Sequence, residues 1–232
     1  TIDFLGNQTV NFASAYTITS NSTQLDPTGT ITFGGPGPLT IDSGGSFRMT
    51  GDTASMDIAN QGNLYIESGT STINNGTNST SFTNSGVLTI RGTNSNAGLV
   101  MANGFTNAGT ITLDNASGSP RTQSLTVSEG TLLNSGVIET TNSGGGSSTN
   151  NLDTDALSNA GTINVNESMN LTFATSATNQ SSGNINIADT KTLDINGGTF
   201  NNNGAITLLG NSSSTTLDLA GLTSLNNNSG AS

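Results

Sequence analysis

A nine-residue phrase of alternating character recurs along the chain: apolar-x-Asn-x-Gly-x-apolar-x-apolar. It reads Ile58-Asn60-Gly62-Leu64-Ile66, Phe82-Asn84-Gly86-Leu88-Ile90 and Phe105-Asn107-Gly109-Ile111-Leu113, then Leu132-Asn134-Gly136-Ile138-Thr140, Leu157-Asn159-Gly161-Ile163-Val165 and Phe200-Asn202-Gly204-Ile206-Leu208. Weaker copies fall at Leu25-Pro27-Gly29-Ile31-Phe33 and at Ser181-Gly183-Ile185-Ile187, where the leading apolar residue or the Asn is replaced. The period of two after each glycine predicts a half-buried strand. A second, less regular strand follows in most repeats, as at Leu39-Ile41, Leu99-Met101, Leu125-Val127, Leu171-Phe173, Leu193-Ile195 and Leu217-Leu219. Helical periodicity is missing, and the abundant small polar residues are mediocre helix formers.

The phrase returns every 21 to 27 residues or so, apart from one longer gap between Gly29 and Gly62. A coil of that length cannot bury its apolar side chains alone, but stacked coils close a narrow continuous core. The expected fold is therefore all-β: a right-handed parallel β-helix of about nine or ten coils, running through residues 1–232 as one solenoid, a rod on the order of 45 Å long. A β-propeller needs longer blades than this period supplies. The pattern predicts one inward column of Leu64, Leu88, Ile111, Ile138, Ile163, Ile185 and Ile206, and a second of Ile66, Ile90, Leu113, Val165, Ile187 and Leu208. The remaining positions of the phrase form a structural ladder: Asn60, Asn84, Asn107, Asn134, Asn159 and Asn202 passing amide hydrogen bonds from coil to coil, and Gly62, Gly86, Gly109, Gly136, Gly161 and Gly204 supplying positive φ at a corner.

Composition sharpens this reading. Only 31% of the 232 residues are hydrophobic and 4% aromatic, too little for a large globular core, while charged residues at 8% are too few for the usual disordered chain. Asn, Ser, Thr and Gly make up more than half of the sequence, the mixture of short strands and tight turns. The net charge of −11, with Arg48, Arg91, Arg121 and Lys191 as the only cations, argues against nucleic acid and against an anionic membrane surface. No apolar stretch is long enough to insert into a membrane. Cysteine is absent, which removes disulfides and thiolate metal sites. The first residues show no basic-then-apolar signal, so an exported protein would be represented here by a mature or internal piece.

Phrases such as Phe82-Thr-Asn-Ser-Gly-Val-Leu, Phe105-Thr-Asn-Ala-Gly-Thr-Ile and Leu157-Ser-Asn-Ala-Gly-Thr-Ile resemble the degenerate repeats of bacterial autotransporter passengers and filamentous-haemagglutinin-like adhesins. The resemblance covers roughly residues 25 to 230. It implies export, surface display and a β-helix serving as stalk or adhesive shaft, with host or environmental surfaces, glycans or other cells as partners and biofilm or matrix contacts as the setting. It lacks a C-terminal membrane barrel and a secretion-domain motif near Thr1. Two alternatives stand beside it: a filament subunit that self-associates end to end through unpaired strand edges, and a carbohydrate-binding or tailspike-like module, which a cluster of exposed aromatics would mark.

Chemistry is thin. There is no His and no Cys, and the basic residues are scattered over different repeats, so neither proton transfer nor nucleophilic catalysis is expected. The carboxylate pairs Asp153 with Asp155 and Asp189 with Asp194 are the candidates for glycoside hydrolysis, without any Trp to bind a sugar. No calcium-binding repeat is present, and no cofactor is expected; adventitious calcium would sit near Asp153 and Asp155. Asn-x-Ser/Thr sequons are numerous, among them Asn7, Asn75, Asn78, Asn170 and Asn211, but no more so than this composition produces by chance. An ice-binding threonine array on the strand beginning after the repeat glycine is broken by Tyr65 and Glu139. Binding, if any, is expected in the interruptions of the period: 34–57, where Phe47, Arg48 and Met49 make a candidate interaction loop, and 141–151, a Gly/Ser/Thr/Asn spacer expected to be flexible.

Overall fold

Alternating apolar and small polar residues, rich in Thr and Ile, favour extended backbone, and the glycines and Asn-rich corners interrupt it every few residues. The computed structural model describes residues 7–19, 24–25, 30–74, 81–210 and 214–228, and they form an all-β solenoid of stacked parallel strands without a helix. One sheet stacks nine strands: Gln24–Leu25, Ser46–Met49, Asn63–Glu67, Val87–Gly92, Thr110–Asn115, Val137–Thr141, Thr162–Val165, Asn184–Ile187 and Ala205–Leu208. We call it the short-strand sheet.

The other side of the rod changes character along its length. Near the N-terminus it is two separate runs. Gln8–Asn11, Ile31–Gly34, Thr53–Ser55 and Gly69–Ile73 form one, and Tyr16–Ile18, Leu39–Ile41, Ile58–Asn60 and Phe82–Asn84 form the other. From Ala97–Asn107 onward the two runs fuse into single long strands: Arg121–Asn134, Ser148–Asn159, Met169–Asn179, Thr192–Asn202 and Thr216–Asn227. Each fused pair carries a register shift near its middle, as between Asn103 and Phe105 or Val127 and Thr131, so the bend that is a turn in the earlier coils survives as a bulge.

The register places the predicted inward residues in line. Leu64, Leu88, Ile111, Ile138, Ile163 and Ile185 stack in sequence and are buried, as are Ile66, Ile90, Leu113, Val165 and Ile187. Thr140 occupies the polar gap in the second column. Its hydroxyl donates to the Glu167 carbonyl (2.7 Å) and accepts from the Glu167 amide (2.8 Å), which makes a buried hydroxyl tolerable there. The last members depart from expectation: Ile206 is only partly buried and Leu208 is 46% exposed, because among the described residues no coil lies above them.

Two expected irregularities are also corrected. The segment 34–57 is no loop but most of a regular coil, with strands Leu39–Ile41, Ser46–Met49 and Thr53–Ser55. Phe47 and Met49 are fully buried and pair with Leu64 and Ile66, so they carry the two apolar columns on toward the N-terminus, and the long gap in the glycine spacing is filled by Gly45. The weak copy at Leu25 is out of alignment with the others: Ile31 and Phe33 belong to the run containing Gln8–Asn11, while its Pro27 and Gly29 lie outside the described residues.

The segment 141–151 is held rather than loose. Asp114 accepts from the Thr141 hydroxyl (2.9 Å) and from the Ser143 amide (3.0 Å) and hydroxyl (2.7 Å). Asn115 donates to the Ser147 carbonyl at 2.8 Å, and Gly144 and Gly146 donate to the coil beneath. Burial dictates the stability expectation for the columns. Ile111→Ala lowers stability by about 2–5 kcal/mol, whereas Thr106→Ala, on an outward position, changes it by less than about 0.5 kcal/mol; urea unfolding midpoints read both.

Candidate functional site

The recurring polar feature of the interior is the asparagine column at the corner between the long and short strands. Its side chains are buried from Asn60 to Asn202. Each Nδ2 donates to the Oδ1 of the asparagine in the next coil: Asn60 to Asn84 (2.6 Å), Asn84 to Asn107, Asn107 to Asn134 and Asn134 to Asn159 (2.7 Å each). The second hydrogen of each amide reaches a backbone carbonyl of that same next coil, Val87 O at 3.0 Å from Asn60 and Val137 O at 3.1 Å from Asn107. A carbonyl oxygen cannot donate, so these second bonds fix which way every amide faces and give the ladder one direction.

The ladder is longer than the phrase showed. Asn159 donates to Asn179 (2.8 Å), Asn179 to Asn202 and Asn202 to Asn227 (2.9 Å each). Asn179 escaped the sequence pattern because Gln180 to Ser182 separate it from Gly183, two residues more than in the regular phrase. At the other end the column gives way to Ile41 and Ile18, which pair in register beneath Asn60. The Asn60 Oδ1 accordingly has no donor, the one open valence that the ladder's direction imposes at its start.

The glycines beside the column are required for a different reason than positive φ. None of Gly62, Gly86, Gly109, Gly136, Gly161 and Gly204 has positive φ; the glycines that do include Gly51, Gly130 and Gly145, elsewhere. What they need is room. A Cβ on Gly109 would collide with the Gly86 carbonyl oxygen, one on Gly136 with that of Gly109, and one on Gly161 with that of Gly136. Each of these oxygens accepts an amide from the next coil, Thr110 N on Gly86 O at 2.9 Å and Val137 N on Gly109 O at 2.9 Å. Coils close on one another here at backbone contact.

Outside the core, Arg48 stands on the outward side of its strand and neighbours Tyr65 in register. Arg48 Nε lies 3.2 Å from Glu67 Oε2, Arg91 pairs with the other oxygen of Glu67, and the Arg91 guanidinium sits 5.5 Å from the Tyr65 ring centroid. Two of the four cations therefore bracket one carboxylate. Arg121 donates to the Pro120 and Asn94 carbonyls (3.0 Å each), and Lys191 pairs with Glu167 at 2.9 Å. Of the three residues of the candidate interaction loop only Arg48 faces outward, and it is engaged by Glu67.

Asp153 and Asp155 stand two residues apart on the outward side of Ser148–Asn159, and the candidate carboxylates are engaged by separate partners. Asp155 accepts from the Gly130 amide (2.9 Å), Asp194 from Asn196 (2.8 Å) and Asp189 from the Thr215 hydroxyl (3.3 Å). Among the described residues no group of three acidic side chains could hold a metal ion. Of the sequons named above, Asn75, Asn78 and Asn211 lie outside the described residues, and Asn170 donates to Asn151 at 2.9 Å. Asp153, turned outward on its strand, has its carboxyl raised above the usual value by burial, against a Thr172 hydrogen bond that lowers it. Asp52, buried among the columns, is raised by the same desolvation despite the amides of Thr50 and Ile31.

Comparison with protein-family models, with curated proteins and with solved structures gives no match. The class is defined by the fold itself. This chain is a parallel β-solenoid repeat protein whose coils are keyed by a buried asparagine ladder.

Three substitutions probe this geometry. Asn107→Leu strands the Asn84 amide hydrogen and the Asn134 oxygen, at about 1–3 kcal/mol each, and lowers the melting temperature far more than Asn226→Leu on the exposed side of its strand. Gly109→Ala, which forces two coils apart, destabilises strongly, while Gly118→Ala does not; thermal melts followed by circular dichroism compare them. A carboxyl raised in the folded state costs stability when ionised. Asp153→Asn, which can still accept from Thr172, is therefore more stable than the parent at neutral pH, and the difference disappears as pH falls through the raised folded value to below 3.8.

Proposed function

We propose that the protein is a structural shaft with adhesive surfaces, part of a bacterial surface or secreted protein, acting outside the cell in attachment and in matrix or biofilm contacts. The observation that carries this reading is the continuous interior: every coil commits its inward side chains to the next one, which suits a stiff spacer. The resemblance of phrases such as Phe105-Thr-Asn-Ala-Gly-Thr-Ile to adhesin repeats supports the placement outside the cell. Specific contacts belong to the outward columns, where register lines up Thr9, Thr32, Thr53 and Thr72 on one run and Thr178 with Asn201 and Asn226 on the long strands. Such surfaces offer hydroxyls and amides to glycans and to other hydrated surfaces, without charge.

Beads coated with the protein are expected to attach to bacterial or host cell layers several-fold above beads coated with a scrambled-surface variant that keeps the core. Equal attachment by both, or hydrolysis of a polysaccharide panel at enzyme-like rates, would overturn the reading.

A further inference from the structure

Unequal intervals separate Thr32, Thr53, Thr72 and Thr126 in the sequence, and the register brings them into one outward column, with Val100 between the last two. The residues flanking them along their strands are buried, Ile31 and Phe33, Ser71 and Ile73, Leu125 and Val127, so the threonines point away from the core. Two residues earlier on the same side stand Thr30, Thr70 and Ser124, and the intervening coils have Gly51 and Gly98 there. Thr70, Gly98 and Ser124 pair in register. Hydroxyls thus recur on this face in two directions, along the strands and across them at the strand spacing of about 4.8 Å.

The face has three further properties. Its hydroxyls are free: among the described residues those of Thr32, Thr53, Thr70, Thr72 and Thr126 make no hydrogen bond within the chain. Other outward columns spend their polar groups on each other, as Asn186 does on Asn164 (3.0 Å) and Asn226 on Asn201 (2.8 Å). It is uncharged: in a chain with 15 acidic residues, the first carboxylate of the column is Asp153, in the coil after Thr126. It is also level and stiff. A Cβ on Gly98 would meet Ser124 Oγ at 2.9 Å and Thr70 Oγ1 at 3.2 Å, so these side chains close over the glycine from both sides. Val100 keeps the branched shape of threonine, and β-branched side chains in strands have few rotamers.

We propose that this face, from Thr30 to Thr126, binds ice. Aromatic and charged side chains, which would single out one sugar or peptide, are absent from both columns. An ice surface presents only water at a fixed repeat. Recognising it requires hydroxyls that are free, rigidly held and repeated in two directions, with no ion nearby to keep a hydration shell of its own. The threonine methyls beside the hydroxyls displace loosely held water when the two surfaces meet. The short-strand sheet lacks this continuity, since Tyr65 and Glu139 interrupt its outward threonines. The inference goes beyond the adhesive reading and stands apart from it.

Slow partial freezing of a dilute solution of the full chain tests it, with protein measured in the ice and in the remaining liquid. The expected result is several-fold enrichment in the ice over an inert protein of similar size, with faceted crystal growth. Thr32→Lys and Thr72→Lys, both at outward positions, each abolish most of the enrichment while the thermal melt stays in place. Thr106→Lys, outward on the other run, leaves it unchanged. Exclusion of the parent chain from ice would overturn the proposal, as would enrichment indifferent to Thr32→Lys and Thr72→Lys or lost equally with Thr106→Lys. Retention on dextran beads that Thr72→Lys abolishes, without enrichment in ice, would also overturn it and assign the face to a neutral glycan. Attachment of coated beads to cells is a separate readout and decides only the adhesive reading.

Discussion

A buried carboxamide that is left without partners costs about as much as the hydrogen bonds it would otherwise make, and here each one finds its partners only in the neighbouring coil. That condition is met in a single register. Sliding one coil by one residue would turn Asn107 outward, bring Thr106 or Ala108 into the column and strand the amides on either side. A slip of two residues would keep the apolar columns inward, where leucine and isoleucine stack almost equally well on any like neighbour, yet it would still take Asn107 out of the ladder. The ladder thus supplies the specificity, and the hydrophobic columns beside it supply the bulk of the burial. The glycines complete the arrangement, since the corner closes to backbone contact and only a residue without a side chain fits beneath the next carbonyl.

Toward the N-terminus, where the ladder gives out, the cross-section differs. The coils around Ile18 and Ile41 keep three separate short runs with tight turns between them, and aromatic pairs such as Phe33 with Phe47, at 5.1 Å between ring centroids, fill the interior. From the Asn107 coil onward the turn between two runs is replaced by a bulge within one strand. The cations follow a related logic. A chain this acidic gains little from free arginines, and Arg48 and Arg91 hold Glu67 across three coils, with Tyr65 beneath the second guanidinium.

Most of this was legible in the residues because the repeat is spelled out nine letters at a time. The inward columns from Leu64 to Ile185 and the ladder from Asn60 to Asn159 come directly from the period of two and the fixed Asn-to-Gly spacing. The features that escaped share one cause: the register is carried by space, and insertions at a corner do not disturb it. Asn179 holds its place although its turn is two residues longer, and Gly45 holds its place although the phrase around Leu39 has Ile41 where the asparagine belongs. Reading 34–57 as an interruption mistook a coil with altered spelling for a loop. The role given to the glycines was wrong for a deeper reason, since a sequence shows that a side chain is forbidden but not whether conformation or crowding forbids it. Leu208 and Ile206 could not be distinguished from their buried counterparts, as exposure there depends on whether another coil covers them.

The one-way ladder has a mechanical side. Each coil is fastened only to the coils next to it, so tension applied at one terminus strips the stack in order, one amide bond and two strand edges at a time. Releasing a single coil, such as the 24 residues from Asn60 to Asn84, removes about 4.8 Å of rod and returns roughly 80 Å of extended chain. A solenoid built this way lengthens in steps under load and dissipates a pull that would snap a rigid tether.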